Sequence, residues 1–186
     1  MRAMSEDDAE KFESFNGKLA HLGTLDPLRD VKSTSPHVLQ ILSFHLICEY
    51  LVETWVNFKL NKGENLFKGI EKIGFHNKVF VAKNAGLPKE IFHALILLND
   101  ERNDLAHKIT KRDINHRFVD DLVDKIDAIK GCGEKVSKLK ILEGGREIKI
   151  TSQILGERLL LALYALASTL RNFIFVDLHL TFSAEL

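Results

Sequence analysis

Residues 36–61, PHVLQILSFHLICEYLVETWVNFKLN, decide the fold. The stretch opens on Ser35-Pro36, a capping hydroxyl followed by a ring that pre-sets helical φ in the first turn. Val38, Leu39, Leu42, Leu46, Val56 and Leu60 recur at helical spacing, and Ile41, Phe44 and Ile47 stand beside them. Apolar groups on more than one face mark a helix that several neighbours bury. The stretch reads as the central core helix of a bundle. A polar stripe interrupts it: His45, Glu49 and Glu53, each four residues from the next.

Working outward toward the C-terminus, a helical stretch is expected from Asn65 through Ile73, stopped by Gly74. A second run, His76 to Asn84, ends at Ala85-Gly86-Leu87-Pro88, a glycine stop followed by a proline restart. Pro88 then opens a helix through Leu98 to about Ile109, and residues 113–130 form another, with Ile114, Phe118, Leu122, Ile126 and Ile129 at helical spacing. Residues 139–150, LKILEGGREIKI, change period: apolar and polar residues alternate around Gly144-Gly145, the pattern of a small β-hairpin. Thr151 to about Leu180 is a long apolar helix, with Leu159, Leu163, Leu166 and Leu170 on one face. Before the central helix, Ser5 with Glu6, Asp7 and Asp8 caps a mostly polar helix to about Leu22. The expectation is an all-α, up-down helical bundle with an extra N-terminal helix and a small hairpin insertion. It is one domain over 1–186: N-terminal helix and linker 1–35, core 36–130, loop and hairpin 131–150, closing helix 151–180.

Lys plus Arg and Asp plus Glu both count 26, so the net charge is zero and no global basic field attracts nucleic acid. Two cysteines exclude a disulfide scaffold and a four-cysteine zinc site, and a reducing compartment fits them. The longest charge-free stretch, Ser33 to Cys48, and the most apolar one, Leu159 to Leu170, both fall short of the roughly 20 residues a bilayer needs. No membrane helix is expected. The N-terminus lacks the apolar core of a signal peptide, which points to the cytoplasm.

Chemistry concentrates in LNDERNDLAHKI, residues 98–109, a dense set of charges on the C-terminal half of an otherwise apolar helix. Asn103 and His107 are four apart and share a face, and Arg102 lies about 140° from His107, within reach of the same pocket through its length. Arginine offers a planar fork of donors suited to phosphate, and histidine transfers protons near neutral pH. Together they suggest phosphate-ester chemistry. The bland alternative is a histidine on the last carbonyls of a helix, with Glu101, Arg102, Asp104 and Lys108 in surface ion pairs. Spacing alone leaves both open.

Arg102-Asn103-Asp104-Leu105-Ala106-His107 resembles the signature of HEPN domains (higher eukaryotes and prokaryotes nucleotide-binding), in which an arginine precedes a histidine by four to six intervening positions. The surroundings are similar as well: a long apolar helix, a GLP break, then a helix ending in RN-x-x-AH, over residues 36–130. The form also resembles the mannitol operon repressor family. The resemblance implies a bundle that forms a homodimer, with Arg and His of two subunits lining a shared cleft. It further implies a metal-independent endoribonuclease of toxin or defence type that leaves 2′,3′-cyclic phosphate ends and needs no cofactor. Arg102, Asn103 and His107 would be its catalytic residues, with Asp104 in support. RNA and an antitoxin or regulatory protein are the partners it implies. The alternative it carries is a non-catalytic transcriptional or protein-interaction regulator of the mannitol-repressor type.

The stripe of His45, Glu49 and Glu53 has ligand-like spacing, but no second ligand-bearing helix accompanies it, so a metal is not expected. Burial accounts for it better: acids in a core helix need partners, and Glu49 or Glu53 is expected to hold Arg102. Across residues 59–83 six lysines face two glutamates, a local excess of four positive charges. Lys72, Lys78 and Lys83 are the expected RNA contacts there, against the alternative of a solvated helix surface. Trp55 and the twelve phenylalanines read as core rather than as base-stacking platforms. Arg171 with His179 echoes the motif with seven intervening residues, one too many, and Cys132 reads as structural.

Overall fold

The computed structural model describes residues 36–61, 64–70, 73–107, 114–130, 135–143 and 145–184. Its elements are α1 (Pro36–Asn61), α2 (Phe75–Asn84), α3 (Lys89–His107), α4 (His116–Asp127), a 3-10 turn (Val136–Lys138), β1 (Lys140–Glu143), β2 (Arg146–Lys149) and α5 (Leu155–Ala184). The described residues thus form a mostly helical domain with one two-stranded antiparallel sheet, in which Ile141 pairs with Ile148 and Glu143 with Arg146. The expected helix of residues 5–22 and Cys132 lie outside the described residues.

α1 and α5 are the two long members, and both owe their helicity more to burial than to amphipathic contrast. Ile41, Phe44, Cys48, Leu51, Val52 and Trp55 of α1 are buried at three- and four-residue intervals, as are Leu159, Ala162, Leu163, Leu166, Leu170 and Ile174 of α5. The two run side by side in the same direction. His37 meets Gly156 near their first turns, where a Cβ on residue 156 would stand 2.5 Å from the imidazole Nε2. Twenty residues on, Trp55 Nε1 donates to Asp177 Oδ2 at 2.9 Å, Lys59 donates to the same carboxylate at 3.0 Å, and the Trp55 and Phe173 rings meet edge to face at 5.4 Å. The indole N–H, which has no intrahelical partner, is thereby satisfied inside the core.

Over Leu155–Leu178 α5 is, by length and composition, apolar enough to cross a membrane. This corrects the expectation from uninterrupted apolar runs, which a few scattered charges cut short. Most of that stretch is buried inside the bundle, as a core helix is.

The connections follow local chemistry. α2 stops in a Schellman motif: Gly86 takes φ +109°, Leu87 N–H donates to Ala82 O at 3.0 Å and Gly86 N–H to Lys83 O at 3.2 Å. Leu87 buries itself beyond the stop, and Pro88 restarts the chain into α3. Where a helix is expected from Asn65 to Ile73, the described residues form a turn at 66–69, with Gly69 at φ +86°. Asn57 Oδ1 on α1 accepts from Leu66 N–H and Asn65 Oδ1 from Phe67 N–H, so side chains take the donors a helix would have used. α4 begins later than residue 113, because Asn115 is the cap: its Oδ1 accepts from Arg117 N–H at 3.0 Å. Asp127 Oδ1 then ties down Val136 N–H at 2.6 Å and steers the chain into the hairpin. The hairpin forms where the alternating pattern placed it, turning at Gly145 (φ +81°) and burying Ile148. Ser152 closes a turn just before α5: its hydroxyl accepts from Ile154 N–H and donates to Glu157 in the first turn of α5, which also pairs with Arg146 of β2.

Candidate functional site

The polar side chains of α1, α2 and α3 meet in one seam. α1 contributes its stripe of His45, Glu49 and Glu53; α2 contributes Phe75 and Lys78; α3 contributes Asn99, Arg102 and Asn103. On α3, Asn99, Asn103 and His107 recur every four residues, and α3 extends through His107 as its last residue.

His45 is 5% exposed. Its Nε2 lies 3.4 Å from Asn99 Oδ1, and the Phe75 ring stands edge-on to the imidazole at 4.5 Å. An amide oxygen only accepts, so Nε2 carries the proton and donates a long bond. Burial lowers the His45 pKa below the usual histidine value; the bond to Asn99 and the charge of Glu49 oppose that shift, and the Arg102 charge adds to it. His45 is therefore a neutral strut between α1 and α3. The sign of its linkage follows. Between its lowered native pKa and the unfolded value of about 6.5 the unfolded chain binds more protons, so this contribution is intact above about pH 6.5 and is lost as pH falls. Wild type should lose more urea stability than His45→Gln between about pH 7.5 and about pH 5.5. Equal losses in the two proteins would contradict the strut.

Glu49 and Glu53 close on Lys78: Nζ lies 2.8 Å from Glu49 Oε1 and 2.7 Å from Glu53 Oε2. Lys78 is 9% exposed, and its ammonium stands 5.8 Å from the centre of the Phe67 ring. Burial alone would lower the Lys78 pKa, but the hydrogen bonds and charges of the two carboxylates outweigh it and raise the pKa instead. Two sequence expectations change here. The acids expected to hold Arg102 hold Lys78, because α2 presents an ammonium directly across their stripe. Lys78, expected on RNA, faces inward and has its charge compensated.

The motif residues themselves occupy the end of α3. Arg102, Asn103 and Asp104 are half-buried, and Arg102 Nη1 donates to Asn103 Oδ1 at 3.1 Å. Asn103 thus takes one of the five guanidinium donors and fixes the fork's orientation. His107 lies five residues on, about 7.5 Å along the helix axis. Lys83 is exposed on α2, and Lys72 lies outside the described residues. Asn99 escaped the sequence reading; its signal was a polar residue within an apolar helix, in phase with Asn103 and His107. Cys48 is fully buried, which pushes its thiol up to about 12 and leaves it inert.

Fold and seam define a class: a small all-α domain whose polar seam ends on an Arg-Asn-x-x-x-His helix terminus. No family model matches the chain, and neither a curated protein nor a solved structure matches it.

Proposed function

We propose that this chain is a HEPN-like, metal-independent endoribonuclease of the cytoplasm, acting as a homodimer in a toxin or defence setting with an antitoxin or regulatory partner. The observation that carries the reading is Arg102, half-buried at the end of α3 and oriented by Asn103, five residues before His107. Behind it, the His45–Asn99 bond ties α3 to the core helix three residues before Arg102.

The chemistry is transesterification. His107 of one subunit removes the proton from a ribose 2′-hydroxyl as that oxygen attacks phosphorus; the bond from phosphorus to the 5′-oxygen breaks, and an imidazolium returns the proton to the leaving oxygen. Arg102 neutralises the charge that gathers on the non-bridging oxygens. The products are a 2′,3′-cyclic phosphate and a 5′-hydroxyl. Single-stranded RNA incubated in EDTA with wild type and with His107→Ala tests the reading. Cyclic-phosphate ends from wild type alone are expected. Equal cleavage by both proteins removes His107 from the chemistry, and cleavage by neither leaves the non-catalytic regulator.

A further inference from the structure

α2 is a two-faced helix. Phe75, Lys78, Val79 and Ala82 turn inward to the seam and core. His76, Phe80 and Lys83, at four- and three-residue spacing, form the outward stripe. Phe80 is 41% exposed although it is among the most apolar side chains of the domain. It belongs to a continuous row of rings: His76 to Phe80 at 4.9 Å, Phe80 to Phe92 at 5.0 Å, Phe92 to His93 at 5.5 Å. Phe92 is the buried root of that row, and both histidines are exposed. Lys83 Nζ hangs over it, 4.7 Å from the Phe92 ring and 5.8 Å from the Phe80 ring.

We propose that His76, Phe80, Lys83 and His93 form a docking surface for the unpaired bases and phosphates of single-stranded RNA. The chemistry selects that occupant. A base stacks on an aromatic ring whatever its identity, and an ammonium beside the ring meets the phosphate that follows. From Ile73 to Lys89 the chain carries lysines and no acid, and Lys78, its inward lysine, is already compensated; the first acid beyond is the exposed Glu90, three residues before His93. Rings alone would suit a protein partner as well; the ammonium of Lys83 over the Phe80 and Phe92 rings, a residue type depleted at the centre of protein interfaces, is what favours a strand with phosphates.

The surface and the motif share one helix: Phe92, His93 and Arg102 all stand on α3. From Phe92 to Arg102 is about 15 Å of helix, a distance that a few nucleotides of extended strand span. The surface would hold the strand while Arg102 and His107 act on a neighbouring linkage, and in that respect the proposal rests on the nuclease reading.

The test is fluorescence anisotropy with a labelled 2′-O-methyl oligouridine, which lacks the attacking hydroxyl and cannot be cleaved. Phe80→Ala should weaken binding at least about fivefold, the stacking of one base, whereas Phe80→Tyr should keep it. Lys83→Ala should flatten the dependence of binding on salt by somewhat under one phosphate contact. Binding by Phe80→Ala equal to wild type overturns the proposal, as does equal loss in Phe80→Tyr or no binding by wild type. The two readings separate cleanly. Phe80-dependent binding without cleavage of ordinary RNA keeps the surface and removes the nuclease; cleavage by wild type with Phe80→Ala unaffected does the reverse.

Discussion

Lys78→Met should unfold at a markedly lower urea concentration than wild type, with a stability loss of about 2–3 kcal/mol and an unchanged denaturant slope. The substitution keeps the length of the side chain and deletes only the ammonium. What remains is Glu49 and Glu53 on one helical face, four residues apart, each having lost the hydrogen bond it made at 2.8 or 2.7 Å. Removing one partner of a fully buried pair costs about 3–5 kcal/mol. The carboxylates here are 24% and 31% exposed, so water recovers part of that cost. The mutual repulsion of the two acids works in the other direction. The triple variant Glu49→Gln, Glu53→Gln, Lys78→Met should regain most of the loss, because no charge is then left uncompensated. A wild-type midpoint for Lys78→Met alone would show that the three charges contribute nothing to the fold.

The same triad shows where reading the chain by eye succeeds and where it stops. α1 is legible because Ser35-Pro36 and its apolar spacing are local signals, and the hairpin is legible because the period changes to two around Gly144-Gly145. The break between α2 and α3 is equally local: Gly86 supplies a positive φ that few other residues tolerate. Partner choice is different. That Glu49 and Glu53 need a cation follows from their stripe, but which cation depends on the rotation of a neighbouring helix about its axis. Phe75, Val79 and Ala82 set that rotation for α2 and carry Lys78 inward with them, while Phe80 and Lys83 turn outward. The reading of the phenylalanines as core does not hold at Phe80, for the same reason, nor at Phe175 on α5, which is 45% exposed. At residues 65–73 a helical apolar pattern was present, yet Asn57 and Asn65 outcompete the helix for its backbone donors. The end of α3 was legible as a concentration of Arg, Asn and His; the His45–Asn99 strut behind it was not, since a contact over 54 positions leaves no mark on spacing.

His107→Ala and Arg102→Ala should each abolish most RNA cleavage while leaving the urea midpoint near that of wild type. A positioned proton-transfer group contributes about 10²–10⁴-fold, and a donor aimed at developing charge about 10²–10³-fold. Arg102→Lys keeps the charge but loses the planar fork that Asn103 orients, so it should recover only a fraction of the arginine effect. Asn103→Ala frees the guanidinium without removing it, and its loss should be smaller than that of Arg102→Ala. Because Arg102 and His107 act on the same transition state, the double variant should be little worse than His107→Ala. Independent, multiplying losses would place the two residues in separate steps. The pH profile supplies a second check, because a mechanism that needs one His107 bare and its symmetry mate protonated gives a bell, and His107→Ala, which removes both copies at once, should abolish both limbs together. His45 sets a boundary on that profile: it is buried and its pKa is lowered, so its own titration lies on the acid side of the usual histidine value. Activity lost at the acid edge together with urea stability would report the strut, whereas activity lost with stability intact would report His107.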